Sequence, residues 1–200
     1  RQCTSLGVCD PFRFDELPDV KTAVYHFAGL VYGDFDGALL EEASKHGKVA
    51  LDVQCMLRHV EPDKSMAFHD WAEKKQYLPM IDYLKTDAAE AEIMTGLTDR
   101  AAAARLLHEW GAKEVVITHN TEVLAYDGET IYTCPIKARN LSGRTGRGDT
   151  TFAGYITERQ HASVEESLRY CTALVSLKME TPGPFRGTRE DVLEYMKAFY

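Results

Sequence analysis

Long apolar runs are missing from this chain of 200 residues. None approaches the ~20 residues that a helix needs to cross a bilayer. A signal-peptide pattern is missing too. The chain starts on Arg1 rather than Met, which leaves an upstream segment open. Paired cysteines are also lacking. The five present are Cys3, Cys9, Cys55, Cys134 and Cys171, an odd number at wide spacing with no CxxC. That excludes a disulfide framework or zinc site as the default and points to free thiols in a reducing compartment. The seven histidines show neither HxxxH nor HExxH spacing, which argues against a metal site built on them. His59 and His69 flank an acidic, aromatic stretch that reads as a surface loop. Positive charge is in short supply: 23 Lys and Arg against 31 Asp and Glu give a net charge of -8, with no basic run. A nucleic-acid partner or an anionic membrane surface is therefore not expected. The expectation is a cytoplasmic protein, with a homodimer left open.

What is present is an ordinary globular balance, 44% hydrophobic and 27% charged residues, enough for one domain spanning 1–200 with a sizeable core. Short apolar runs alternate with amphipathic stretches, which predicts an α/β fold with a parallel sheet covered by helices. Strands are expected at Ala23–Leu30, Val49–Asp52, up to Leu84, and at Glu114–Thr118. A hairpin is expected from Glu122–Tyr126 and Thr130–Cys134 across Asp127-Gly128. Helices are expected at Asp36–His46 with Gly47 as C-cap, Asp87–Met94, Thr98–Trp110, Val164–Met179 and Thr188–Phe199.

The most informative segment runs from Leu141 to Tyr155, LSGRTGRGDTTFAGY. Gly143, Gly146 and Gly148 let the backbone approach a ligand closely, and the loop runs straight into a helix from Asp149. Free N–H groups and the positive end of the helix dipole therefore meet at one point, a natural anion site. A carboxylate there repels phosphate, so it makes sense as the acceptor of a proton from an attacking hydroxyl. Two plainer readings of Asp149 stay open: a simple N-cap, or part of an integrin-type Arg-Gly-Asp in Arg147–Asp149. The spacing is not that of a Walker A loop. The dinucleotide pattern GxGxxG also fails, because Thr151 stands at the third glycine.

GRGDTTFAGY resembles the signature of the PfkB family of carbohydrate kinases, usually G-A-G-D-x-F-x-A-G. The resemblance implies a three-layer α/β/α ribokinase-like fold with a mostly parallel central sheet. It implies Asp149 as catalytic base and the backbone of Gly146, Arg147 and Gly148 as the anion hole. Arg147 replaces the usual small residue, and Gly143 stands where many members carry Asp. Lys85–Gly96 (KTDAAEAEIMTG) resembles the family's P-N-x-x-E-A-x-x-L-x-G, which implies Asp87 and Glu90 as holders of Mg²⁺, through water. Acidic residues in a first helical turn also complement the dipole, whatever else they do. Val115–Val123 resembles the strand V-V-x-T-x-G-x-x-G, which implies Thr118 and Asn120 near the nucleotide, although Asn120 and Val123 replace both glycines. Leu51-Asp52-Val53-Gln54 resembles a D-x-N/Q segment, which implies Asp52 and Gln54 at the substrate; a cap is the alternative. Tyr170–Leu174 resembles the helix lining the adenine pocket, with Cys171 toward the nucleotide or simply in the core.

The function so implied is transfer of the γ-phosphoryl group of ATP, with Mg²⁺, to a hydroxyl of a sugar or cyclitol. The alternatives are a regulatory nucleotide-binding protein that keeps the fold, and an NAD enzyme, which the missing GxGxxG disfavours. The resemblance runs from about Phe27 onward. No segment matches the family's N-terminal strands, Gly-Gly substrate loop or β lid, so the expectation is the C-terminal portion of a longer protein.

Overall fold

The computed structural model describes residues 4–18 and 20–200, which fold as two compact units, 1–115 and 116–200. Cys3 lies outside the described residues; Cys9, Cys55, Cys134 and Cys171 are all free thiols. Among the described residues, no helix is long and apolar enough to cross a membrane.

In the first unit, β1 (Val24–Phe27) leads to α1 (Gly37–His46) and β2 (Lys48–Asp52). Short α2 (Gln54–Leu57) follows, then β3 (Arg58–Val60), β4 (Met66–Phe68) and short α3 (Lys74–Tyr77). The unit continues through β5 (Tyr83–Asp87), α4 (Ala88–Thr95) and α5 (Arg100–Glu109). Strands β1, β2 and β5 lie side by side in parallel, with Phe27 opposite Leu51 and Leu51 opposite Leu84. Val49–Asp52 and Tyr83–Thr86 are buried without alternation, as expected for parallel strands covered on both faces. Each long helix starts on a side-chain cap: the carboxylates of Asp36, Asp87 and Asp99 accept N–H bonds from Leu39, Glu90 and Ala102. Gly96, in the left-handed region at φ +74°, ends α4.

The stretch carrying His59 and His69, expected as a loop, is instead the antiparallel pair β3–β4. Lys64 makes its turn at φ +68°. The sequence signal fails here because each strand has only three residues and the turn has no glycine. Ring contacts hold the pair: Tyr32 stacks on His59 at 4.2 Å, His59 meets His69 edge-on at 4.7 Å, and His69 Nε2 lies 2.7 Å from Glu61.

The boundary between the units falls inside β6 (Glu114–Thr118). The second unit holds β7 (Glu122–Tyr126), β8 (Ile131–Pro135), α6 (Arg147–Glu158), α7 (Val164–Met179) and α8 (Arg189–Phe199). Strand β7 lies beside β6 and pairs antiparallel with β8, with Val123 opposite Cys134. Asp127 accepts N–H bonds from Glu129 and Thr130 in the expected turn. Helices α6 and α7 pack closely against each other. Phe152, Tyr155, Leu168, Cys171 and Val175 are each at most 1% exposed. At ~25 cal/mol per Å², burying such side chains is the main stabilising term of this unit. Helix α8 closes a further cluster of Ala173, Val192 and Tyr195.

Candidate active site

Helix α6 begins at Arg147, two residues before the expected start. Gly146 is its N-cap, in the left-handed region at φ +75° and ψ +17°, a conformation costly for a residue with a Cβ. Arg147, Gly148 and Asp149 therefore occupy the first turn, where backbone amides point outward along the axis. Asp149 makes no side-chain capping bond. A Cβ built on Gly146 would lie 3.7 Å from Asp149 Oδ2, so the carboxylate folds back over the helix start. Its residue is exposed, and the plain N-cap reading does not describe it. Thr150 and Thr151 turn their hydroxyls inward, onto the carbonyls of Gly146 and Arg147 at 2.8 and 2.9 Å. The turn is thus anchored from behind while the carboxylate faces solvent.

The loop entering this turn is fastened to the end of α7. Gly143 N donates to Met179 O at 2.7 Å, and Ser142 Oγ donates to Glu180 O at 2.7 Å. A Cβ on Gly143 would meet Thr181 O at 1.8 Å, so only glycine fits. Lys178, 1% exposed, donates to Gly143 O at 2.6 Å and to Thr145 O. Burial lowers its pKa, and the negative charge of Asp149 opposes that shift. Glu180 is held down at about 2, chiefly by its bonds to the Arg139 guanidinium, which fixes the chain just upstream of the loop.

Asn120 follows the end of β6, where Thr118 is 3% exposed. Its side-chain oxygen accepts from Arg147 Nη1 at 2.7 Å and Arg144 Nη2 at 3.1 Å. Two guanidinium groups thus converge on one neutral amide at the start of α6. The sequence implies Asn120 near the nucleotide and Arg147 in the anion hole, but not their contact. The structure brings Asn120, Arg144, Arg147 and Asp149 to one end of the second unit. Cys171 is elsewhere: it is fully buried, and burial raises its thiol pKa. A Cβ on Gly154 would come within 3.4 Å of Cys171 Cβ and 2.8 Å of Leu174. The last glycine of the GDTTFAG motif is therefore a close-packing position for α6 on α7, with Cys171 beneath it.

The first unit gathers a separate buried charge cluster. Lys85 Nζ lies 2.9 Å from Asp52 and 3.7 Å from Glu90, and each of these side chains is at most 6% exposed. Asp52 Oδ1 also accepts the Gln54 N–H at 3.2 Å. Asp52 is thus bonded inward to Lys85, while Gln54 at the start of α2 is half-buried. Asp87 and Glu90 form a reciprocal capping box: Glu90 N donates to Asp87 Oδ1 at 2.8 Å, and Asp87 N donates to Glu90 Oε2 at 2.7 Å. Burial pushes the Glu90 carboxyl up to about 7, against the lowering effect of Lys85. These engagements do not fit direct coordination of Mg²⁺, and no group of three or more His, Cys, Asp or Glu among the described residues could hold a metal. What Asp87 and Glu90 can offer an ion is an outer contact through water, the form expected from the sequence. Lys85 and Lys178 escaped sequence reasoning. The available signal was a lysine inside the buried strand β5 and another on the apolar stripe of α7, at Cys171, Val175 and Lys178.

The pfkB family of carbohydrate kinases matches residues 12–190. The chain belongs to this family. Its fold is ribokinase-like α/β with a mostly parallel central sheet. The chain is similar to a pyrophosphate-dependent kinase of the ribokinase family, solved with a pyrophosphate analog and myo-inositol. That match has 31% identity and a TM-score of 0.90 over 97% of this chain and 70% of that one. The ribokinase of Arabidopsis thaliana, solved with ribose and ATP, matches at 21% identity and a TM-score of 0.73 over 94% of this chain and 61% of that one; this likeness concerns the fold. The cytidine kinase of Thermococcus kodakarensis is 36% identical over 85 residues, 41% of this chain and 31% of that protein. The stretch that matches thus spans about a third of that curated relative's length.

Proposed function

We propose that the protein is a phosphotransferase that moves a terminal phosphoryl group onto a hydroxyl of a sugar or cyclitol. The observation that carries this is the first turn of α6. Asp149 projects from the third helical position without a structural bond, over a left-handed glycine cap. In this reading Asp149 Oδ accepts the proton of the acceptor hydroxyl as its oxygen attacks the phosphorus. The O–P bond to the leaving phosphate breaks on the opposite side. The amides of Gly146, Arg147 and Gly148 face the transferring oxygens and stabilise the charge that develops there. Positioned amides of this kind contribute about 3–4 kcal/mol each to a barrier in other enzymes. Mg²⁺, which supplies charge neutralisation on donor phosphates when bound, would be held through water by Asp87 and Glu90. The substrate side is assigned to Asp52 and Gln54, with Gln54 the more accessible of the two.

ATP is the donor that the sequence resemblance implies, with Thr118 and Asn120 beside it. A second reading, pyrophosphate as donor, is favoured by one observation. Arg144 and Arg147 close on Asn120 where the family strand carries glycine, placing two cations where a compact polyanion could use them. The relative at 31% identity is pyrophosphate-dependent, which supports the same donor. The test is phosphoryl transfer followed by phosphorus NMR, with ATP or pyrophosphate as donor and sugars, cyclitols and nucleosides as acceptors. A phosphorylated acceptor supports the function, and the donor that yields it decides between the two readings. ATP binding with no transfer to any acceptor would favour a regulatory protein.

A further inference from the structure

Lys178 stands where α7 calls for an apolar residue. Cys171, Val175 and Lys178 follow each other at helical spacing, and all are at most 1% exposed. A buried ammonium is costly, and a methionine of similar length would fill the space without that cost. The ammonium therefore has a local use, and its bonds show what it is. Both go to backbone carbonyls, Gly143 O and Thr145 O, three residues and one residue before the N-cap of α6. Two carbonyl oxygens turned to one buried point repel each other unless a cation lies between them. The negative charge of Asp149 favours the ammonium form of Lys178.

We propose that Lys178 is a positioning residue for phosphoryl transfer, its ammonium acting as a tethered monovalent cation. It draws the carbonyls of Gly143 and Thr145 together, fixes the loop that delivers the amides of Gly146–Gly148, and sets a positive charge behind Asp149. This rests on the proposed phosphotransferase reading. It differs from a packing role in one respect: what matters is a cation at the carbonyl pair, not the lysine stem.

The test uses the whole protein with its preferred donor and acceptor. Lys178→Met fills the stem volume without the charge, and Lys178→Ala leaves room for a free ion. Both are expected to lower kcat at least tenfold, with the acceptor KM within about threefold of wild type. Ammonium chloride is expected to restore Lys178→Ala saturably, at least fivefold, where tetramethylammonium chloride at equal ionic strength does not. Wild-type kcat in Lys178→Met would overturn the proposal, and so would a loss in Lys178→Ala that ammonium leaves unchanged. If Lys178→Ala does not fold, Lys178→Met decides by its kcat alone. Wild-type protein inactive with every donor would defeat the phosphotransferase reading instead. Calorimetry with inorganic pyrophosphate then decides on Lys178. Binding at least tenfold weaker in Lys178→Met supports the role, and equal or absent binding in both proteins overturns it.

Discussion

Gly143→Ala is the change most tightly determined by the structure. The added Cβ would sit 1.8 Å from Thr181 O and 2.4 Å from Thr181 C, both backbone atoms, against an ordinary contact distance of 3.4 Å. The loop or the 181 backbone must move by about 1.6 Å, the difference between those two distances. That shift breaks or stretches the Gly143 N–H bond to Met179 and the Lys178 bonds to the loop. Overpacking costs about 1–3 kcal/mol and the stretched bonds together about 1 kcal/mol more, so a loss of about 2–4 kcal/mol is expected. For a chain of this size that lowers Tm by roughly 5–15 °C. A displacement of about 1 Å in catalytic groups costs on the order of 10²-fold in rate, so kcat should fall by about that factor. Scanning calorimetry and steady-state kinetics check both numbers. Gly7→Ala is the control, since nothing lies within 4 Å of its added Cβ; it should leave Tm and kcat unchanged. A Gly143→Ala protein within 2 °C and twofold of wild type would refute the claim that this loop is pinned from behind.

Three further outcomes follow from the charged groups. Glu90, raised to about 7 from its ordinary 4.5, binds its proton more tightly folded than unfolded. Its contribution to stability is therefore fully present below about pH 4.5 and is lost as pH rises through about 7. The span is worth up to about 3 kcal/mol. Urea unfolding from pH 4.5 to 8 should show Glu90→Gln with a flatter profile than wild type; parallel profiles would contradict this. Lys85→Met strands Asp52 as an unpaired buried carboxylate beside a Glu90 that keeps its proton, and should cost about 3–5 kcal/mol at neutral pH. A change under 1 kcal/mol would rule out the ion-pair assignment. Arg147→Met should raise the donor KM tenfold or more while the acceptor KM stays within threefold. An unchanged donor KM would remove Arg147 from donor binding.

The legible parts of the fold were those with long, one-sided signals. The β-branched run Glu114–Thr118, the Asp127-Gly128 turn and the span of α7 match the structure because propensity, period and caps agree there. The hairpin at His59 and His69 was missed because two three-residue strands carry no period. Helix α6 starts two residues earlier than expected because Gly148 is a poor helix former that masks the favourable Arg147, and the left-handed Gly146 cap sets the start. At the site, the loop and Asp149 could be read from the chain because glycine spacing and one carboxylate are local features. The convergence of Arg144 and Arg147 on Asn120, and of Lys178 on Gly143, was not: those pairs lie more than 20 residues apart, and only the fold brings them together.

The measurement that tests the central claim most directly is kcat for Asp149→Asn in the whole protein, with the preferred donor and acceptor. Asp149 is exposed, so the loss of its charge costs a dipole contact of about 0.3–1 kcal/mol and part of the charge compensation of Lys178, and Tm should change little. The kcat should fall about 10²–10⁴-fold, the range for removal of a general base, in a protein of nearly wild-type stability. A kcat within threefold of wild type would show that Asp149 does not take the proton, and the first turn of α6 would no longer be the seat of the chemistry.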